Sequence, residues 1–199
     1  GGDDRFIFAD GVTLSGSSPA IDGGLGGDTL DYSAFTTTVV DADIATGRAM
    51  NINANANGGF SGIETVVGGQ NNVLYGDAGD NVLVGGLGVN VLIGRGGNDT
   101  YIFENGWGTA EVREYAGEGD DTIDLGRVTV ALTFTINGET IHITDGAGNT
   151  IDHTGSADIS QVENFVGGQA GDTFNISGTS NAVDLRGGPG DDIFAFADT

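Results

Sequence analysis

The residues most able to do chemistry in this sequence are acidic and amide side chains that follow short glycine clusters at a fixed spacing. The clearest run consists of three consecutive nonapeptides in register, GDAGDNVLV at 76–84, GGLGVNVLI at 85–93 and GRGGNDTYI at 94–102. Their sixth position carries an oxygen donor and their eighth a large apolar side chain. Oxygen donors beside glycines are typical of a site for a hard cation such as Ca²⁺, which takes about six to eight oxygen ligands.

The same pattern recurs elsewhere in the chain, which indicates an internal repeat and not a single site. A shortened unit, GGQNNVLY, stands directly before the run at 68–75, and a truncated one, GGDDRF, occupies 1–6. Isolated copies are GGLGGDTLD at 23–31, AGEGDDTID at 116–124, GGQAGDTFN at 167–175 and GGPGDDIFA at 187–195. The glycines are therefore patterned, unlike those of a flexible linker.

These motifs resemble the nonapeptide GGxGxDxUx of the RTX (repeats-in-toxin) family, in which U is a large apolar residue. The resemblance implies an all-β fold, a parallel β-roll (a β-solenoid) with two nonapeptides per turn and Ca²⁺ bound between successive turns. It also implies export from a Gram-negative bacterium by type I secretion. We therefore expect arrays of these repeats with intervening β-hairpin segments.

Elementary chemistry explains each motif position. Glycine adopts positive φ without a Cβ clash, so loop carbonyls can turn toward one point, and the short aspartate side chain reaches that point from a tight turn. The triplet xUx then forms a short strand with its middle side chain in the core. The candidate calcium ligands are the side chains of Asp4, Asp28, Asp77, Asp80, Asn81, Asn90, Asp99, Asp121, Asp172 and Asp192 and the carbonyls of Gly23, Gly24, Gly26, Gly94, Gly97, Gly117, Gly119, Gly167, Gly168, Gly187, Gly188 and Gly190.

The central run departs from the family pattern because asparagine replaces aspartate at most of its sixth positions. With two motifs per turn, Asn72 would lie beside Asn90, and Asn81 beside Asp99, 18 residues apart in each case. Asparagine offers a carbonyl oxygen without charge, and calcium affinity depends on the number of charged ligands. We therefore expect weaker calcium sites in the central run than in the motifs near the two ends, which keep their aspartates.

The chain also matches itself near its two ends. Residues 2–11, GDDRFIFADG, and residues 190–199, GDDIFAFADT, are identical at seven of ten positions with an offset of 188. The sequence thus has the pattern of one period of a tandem array, or of a unit that associates end to end. The expected partner is a copy of this chain, in tandem or head to tail, with the ends completing a shared β-roll. A surface glycan, host or matrix ligand stays open.

Composition excludes several classes of protein. The chain has 29 acidic and 6 basic side chains and a net charge of −23, which excludes the basic footprint that binds nucleic acid or an anionic membrane surface. It has no cysteine, and so no disulfide and no thiolate metal site. Because it lacks a long apolar run and a signal-like amino terminus, we expect neither a transmembrane helix nor a leader.

The pattern predicts five segments along the chain. They are acidic motifs at 1–31, a β-rich connection at 32–67, the central array at 68–102, a motif at 116–124 with a β-hairpin within 103–166, and C-terminal motifs at 167–199. The hairpin is predicted from the alternation VTVALTFTI at 128–136, the Asn137-Gly138 turn and ETIHIT. A further β segment, TTTVVDADI, covers 36–44.

We expect no catalytic site, because His142 and His153 belong to no HExxH motif and no GxSxG motif is present. The sequence instead predicts an extracellular calcium-binding structural module of a cell-surface, filament or adhesin protein. Two alternatives stay open. One is an accessory RTX module of a secreted protease, lipase or epimerase, and the other is a β-roll that binds sugar or ice.

Overall fold

The computed structural model describes residues 1–114, 119–137, 140–153, 162–178 and 182–197. The described strands are β1 (Arg5–Ile7), β2 (Ile21–Asp22), β3 (Thr29–Asp31), β4 (Val40–Asp43), β5 (Arg48–Ala49), β6 (Phe60–Ser61), β7 (Thr65–Val67), β8 (Gln70–Tyr75), β9 (Val82–Val84), β10 (Leu87–Ile93), β11 (Thr100–Ile102), β12 (Thr109–Arg113), β13 (Thr122–Asp124), β14 (Thr133–Asn137), β15 (Thr140–Thr144), β16 (Thr150–His153), β17 (Asn164–Val166), β18 (Thr173–Ser177), β19 (Asp184–Arg186) and β20 (Ile193–Ala197). A 3₁₀ segment covers Asn53–Asn55. The described part of the chain has no helix long and apolar enough to cross a bilayer.

Most of these strands form two sheets. The first sheet is parallel throughout, in the order β1-β3-β7-β9-β11-β13-β17-β19. The second has the order β20-β18-β14-β15-β16-β12-β10-β8-β4-β5, and β2 and β6 form a small third sheet. From β7 to β13, consecutive strands alternate between the first and second sheets. This path is a β-roll, which confirms the predicted fold class.

Two nonapeptides make one turn of the roll in the central array. Thr100 pairs with Val82 in the first sheet and Asn90 with Asn72 in the second, so strands on neighbouring turns are 18 residues apart. The eighth-position side chains point into the core and are fully buried, including Leu74, Leu83, Leu92 and Tyr101. A strand of three residues suffices because its one inward side chain stacks on those of the turns above and below.

The predicted hairpin is confirmed, and it widens the second sheet. β14 and β15 pair antiparallel, with Phe134 opposite Ile143 and Ile136 opposite Ile141. Gly138 of the predicted turn lies outside the described residues. The chain then folds back again, because β16 is antiparallel to β15 and parallel to β12. Both β4 and the hairpin therefore continue the second sheet and do not form a separate unit.

Strands from all five predicted segments lie in these two sheets. The isolated motifs at 23–31 and 116–124 are joined to their neighbours by β7 and β17, which complete the first sheet. Neither β7 nor β17 follows a full glycine cluster; each follows a glutamate instead. These two glutamates become part of the candidate site described below.

Candidate metal centre

A row of oxygen-bearing side chains runs along one edge of the first sheet. Each member directly precedes a strand, so the parallel register stacks them turn upon turn. We call this row the carboxylate edge; its members are Asp4, Asp28, Glu64, Asn81, Asp99, Asp121 and Glu163. The sequence predicted Asp4, Asp28, Asn81, Asp99 and Asp121 as candidate ligands, and the structure brings these five into one row.

Backbone hydrogen bonds hold the row in two runs. In the first run the N–H of Asp4 donates to Asp28 Oδ1 at 2.7 Å, and the N–H of Asp28 donates to Glu64 Oε2 at 2.9 Å. Each side chain thus receives a backbone donor from the preceding turn. A carboxylate held in this way keeps further lone pairs for a cation.

The second run repeats the pattern one half of the chain later. The N–H of Asn81 donates to Asp99 Oδ1 at 2.7 Å, that of Asp99 to Asp121 Oδ1 at 2.8 Å, and that of Asp121 to Glu163 Oε2 at 2.8 Å. Asn81 Oδ1 itself accepts the N–H of Asp77 at 2.7 Å. Both runs therefore end on a glutamate.

Sequence reasoning missed Glu64 and Glu163 as members of the site. Neither glutamate belongs to a complete GGxGxD motif, and each accepts the N–H of the aspartate on the preceding turn through its longer side chain. Burial raises the pKa of Glu163, and the charge of Asp120 acts in the same direction, against the N–H of Asp121. The available signal was the similarity of GIETVVGGQ and QVENFVGGQ at an offset of 99, in which both glutamates are conserved between the two halves.

A second ladder runs along the outside of the same loops in the opposite direction. Here a fifth-position side chain accepts from the next turn: Asp3 Oδ1 from Gly27 N–H at 2.9 Å, Asp80 Oδ1 from Asn98 N–H at 2.7 Å, and Asn98 Oδ1 from Asp120 N–H at 3.0 Å. Asp80 is exposed and lies outside the buried row, and Asp77 accepts the N–H of Gly79 within its own loop. The structure therefore separates Asp77 and Asp80 from the carboxylate edge.

The glycines permit the loops to stack as closely as the strands do. A Cβ on Gly97 would lie 2.6 Å from the carbonyl oxygen of Gly79, and one on Gly119 would lie 2.6 Å from the carbonyl carbon of Gly97. Real Cβ atoms do not make such contacts. The same crowding against a neighbouring loop or a motif side chain holds for Gly23, Gly26, Gly94, Gly167, Gly168, Gly187, Gly188 and Gly190, whereas Gly24 has room but adopts a φ of +90°. Gly117 lies outside the described residues.

Three buried carboxylates converge in the second run. Ligand oxygens of Asp99, Glu114 and Asp121 lie within 4.8 Å of one another, and each residue is at most 2% exposed. The hydroxyl of Tyr101 donates to Glu114 Oε1. Glu114 follows β12 and stands beside Gly94, where a Cβ would overlap its carboxylate. The missing side chain of Gly94 thus provides the space that Glu114 fills, and no signal in a single sequence identified Glu114.

The donor set along this edge fits Ca²⁺. It consists of carboxylate oxygens, amide oxygens and the carbonyls of glycine loops, which are the hard ligands that Ca²⁺ takes in flexible numbers. Asp28 is completely buried, and its Oδ2 accepts no hydrogen bond from any described residue. A buried carboxylate oxygen without a donor is costly unless a cation neutralises it.

The corresponding edge of the second sheet is chemically different in the central array. Asn72 Nδ2 donates to Asn90 Oδ1 at 2.5 Å, and Asn90 Nδ2 donates to the carbonyl oxygen of Trp107 at 2.9 Å. Asn72 Oδ1 accepts the N–H of Gly69 at 2.8 Å. We call Asn72 and Asn90 the amide edge. The predicted pairing of these residues is confirmed, and it forms a ladder that carries no charge.

Aspartates return at the far end of the second sheet. Asp172 Oδ1 and Oδ2 accept the N–H groups of Leu132 at 2.8 Å and Gly168 at 2.6 Å, and the N–H of Asp172 donates to Asp192 Oδ1 at 2.8 Å. Burial raises the pKa of Asp172, and the charge of Asp192 adds to this effect, while the two N–H donors oppose it. Protons and a cation therefore compete for this carboxylate.

Comparison with known proteins identifies the repeats in part of the chain. Four copies of the RTX calcium-binding nonapeptide repeat match within residues 58–86, 66–101 and 115–127. No curated protein matches the chain. The matched segments carry Glu64, Asn81, Asp99 and Asp121 of the carboxylate edge.

These segments are RTX repeats, a family of repeats that binds Ca²⁺, and their strands belong to the β-roll. The repeat is a structural calcium-binding unit that is not catalytic by itself. The motifs at 23–31, 167–175 and 187–195 lie outside the matched segments but share the roll.

Proposed function

We propose that this chain is a calcium-stabilised structural module of a secreted protein, repeated in tandem or end to end in a cell-surface, filament or adhesin assembly. The observation that carries the proposal is the carboxylate edge, in which acidic side chains are stacked on successive turns and Asp28, Asp99 and Asp121 are almost fully buried. Such a stack is unfavourable at neutral pH until a cation neutralises it. Calcium binding and folding are therefore linked.

An extracellular setting agrees with this linkage. RTX repeats are typical of secreted proteins of Gram-negative bacteria. Extracellular calcium modules work at about 10⁻⁴–10⁻³ M Ca²⁺, far above the concentration in the cytosol. The chain would therefore remain largely unfolded before export and fold on arrival outside the cell. The proposed ligands are the side chains of the carboxylate edge together with Glu114, Asp172 and Asp192.

Circular dichroism and calorimetry on the full chain test this proposal. In about 1 mM Ca²⁺ we expect a β-rich spectrum and a single unfolding transition, and in excess chelator a largely unfolded chain. Mg²⁺ at the same concentration is the control, and it should substitute poorly because it demands a small, regular octahedral site. Equal β content and equal melting temperature with Ca²⁺ and with chelator would refute the proposal.

A further inference from the structure

Two strands of this molecule are copies of one segment, yet they lie in different sheets. β1 belongs to residues 2–11 and β20 to residues 190–199, the self-matching segments. Their leading glycines, Gly2 and Gly190, have the same unusual backbone, with φ of +133° and +124°. β1 lies in the first sheet and β20 in the second. One segment therefore occurs in two settings.

The two settings use opposite edges of that strand. In β20 the N–H of Ile193 donates to the carbonyl of Asp172 at 2.8 Å, toward the preceding turn. Before β1 the carbonyl of Asp4 accepts the N–H of Thr29 at 2.8 Å, toward the following turn. Asp4 is equivalent to Asp192, the residue just before Ile193. Since neighbouring residues of a strand direct their peptide groups to opposite edges, the two pairings are compatible on a single strand.

The side chains show the same complementarity. Phe8 is only 6% exposed, and its ring stacks on Tyr32 with centroids 5.0 Å apart. The equivalent Phe196 is 73% exposed, although it pairs with Ile176 in β18. Tyr32 thus covers Phe8, whereas no equivalent aromatic ring of the described residues covers the exposed face of Phe196.

We propose that a second copy of this unit continues the roll at β20, which then serves as the β1 of that copy. β3 of the second copy pairs with β20, so the second sheet of one copy continues as the first sheet of the next. The aspartate ladder becomes continuous, because the N–H of Asp172 already donates to Asp192 and the N–H of Asp4 to Asp28. This inference rests on the proposed function, in which copies follow one another, and it specifies their contact.

A two-copy chain tests the contact directly. It consists of residues 1–199 followed at once by residues 12–199, so that β20 is shared. In Ca²⁺ we expect one cooperative transition, with a melting temperature at least about 5 °C above that of the single chain. Phe196→Asp in the first copy should remove most of this gain, and it should change the single chain by less than about 1 °C. Val89→Asp, at a side chain 60% exposed in the middle of the second sheet, is the matched control and should affect both chains equally.

Two results overturn the contact: equal melting temperatures of the two-copy and single chains, or equal shifts from Phe196→Asp in both. Either result leaves the calcium response of the single chain intact and so spares the proposed function. A single chain that does not respond to Ca²⁺ contradicts the proposed function instead.

Discussion

The carboxylate edge and the amide edge occupy matching places on the two sheets, but their stacked polar side chains are hydrogen-bonded in different ways. An amide both donates and accepts, so Asn72 and Asn90 form a ladder that ends on the carbonyl of Trp107. A carboxylate only accepts, so the Asp99 and Asp121 side chains take their donors from the backbone and accumulate charge. Matching edges of one β-roll can therefore carry either an uncharged ladder of amides or a charged row of carboxylates.

This division changes the expectation for the central run. The sequence predicted weaker calcium sites there because of its asparagines. In the structure, Asn72 and Asn90 lie on one edge, whereas Asn81 and Asp99 lie on the other with Glu114 nearby. We therefore expect calcium dependence to follow the edge on which a residue lies and not its distance from the ends of the chain.

The largest effect should come from placing a carboxylate on the amide edge. Asn90→Asp would set a buried charge against the carbonyl oxygens of Trp107 and Gly86, which now accept from Asn90 Nδ2 at 2.9 and 3.3 Å. In Ca²⁺, where the wild type is folded, we expect a loss of about 3–5 kcal/mol in the free energy of unfolding, measured by urea denaturation.

The matched control makes the same chemical change on the outside of the loops. Asn98 is exposed, and its Oδ1 accepts the N–H of Asp120. Asn98→Asp should therefore change the free energy of unfolding by less than about 0.5 kcal/mol. A similar small effect of Asn90→Asp would show that the amide ladder does not stabilise its edge.

The converse change should have the next largest effect. Asp99→Asn keeps an oxygen for the N–H of Asn81 but removes one charged ligand, and Asn81 shows that the row accommodates an amide. The stabilisation gained from Ca²⁺ should fall by about 2 kcal/mol, measured by calorimetry over a series of Ca²⁺ concentrations. Asp80→Asn, on the exposed ladder, should leave that gain unchanged. Equal losses from both variants would contradict the assignment of the buried row.

The sequence predicted the repeating part of this fold well, because glycine spacing and an apolar eighth position are local signals. It placed Asn72 beside Asn90 and Asn81 beside Asp99, and it located the hairpin around Asn137. It did not predict that β7 and β17 continue the first sheet, since a glutamate and no complete GGxGxD motif precedes each of them. Whether a glutamate can take the place of the motif aspartate depends on how far its side chain reaches toward the preceding turn. That distance is a property of the folded roll and cannot be read from local sequence.

Glu114 is a similar case, and its effect should be smaller than that of Asp99. Glu114→Gln keeps an acceptor for the Tyr101 hydroxyl but removes one of three clustered charges. Because Asp99 and Asp121 remain, we expect the gain in stability from Ca²⁺ to fall by about 1 kcal/mol. Glu104→Gln is the control, since Glu104 is exposed and pairs with Arg127 at 2.6 Å. An unchanged calcium response in Glu114→Gln would exclude this carboxylate from the site.

The smallest effect is expected at Arg95, which departs from the glycine pattern of the carboxylate edge. It occupies the second motif position with a φ of +78°, where Gly24 and Gly188 have +90° and +87°. Its guanidinium pairs with both oxygens of Asp43, at 2.9 and 3.2 Å, and lies 5.3 Å from the ring centroid of Tyr75. The strain of a side chain at positive φ is thus offset by contacts that no glycine makes.

Arg95→Gly should therefore change the free energy of unfolding by no more than about 1 kcal/mol at neutral pH, because relief of strain opposes loss of a partly exposed ion pair. The clearer effect of Arg95→Gly should be on the pKa of Asp43. Burial alone would raise the pKa of Asp43, but the hydrogen bonds and charge of Arg95 hold it below its ordinary value. In the wild type this pairing stabilises the fold above that ordinary pKa and is lost as the pH falls through the lowered one. In Arg95→Gly burial remains without the guanidinium, so the pKa of Asp43, followed by NMR of its carboxyl carbon, should rise. A pKa that does not move would show that Arg95 does not compensate its strained backbone through Asp43.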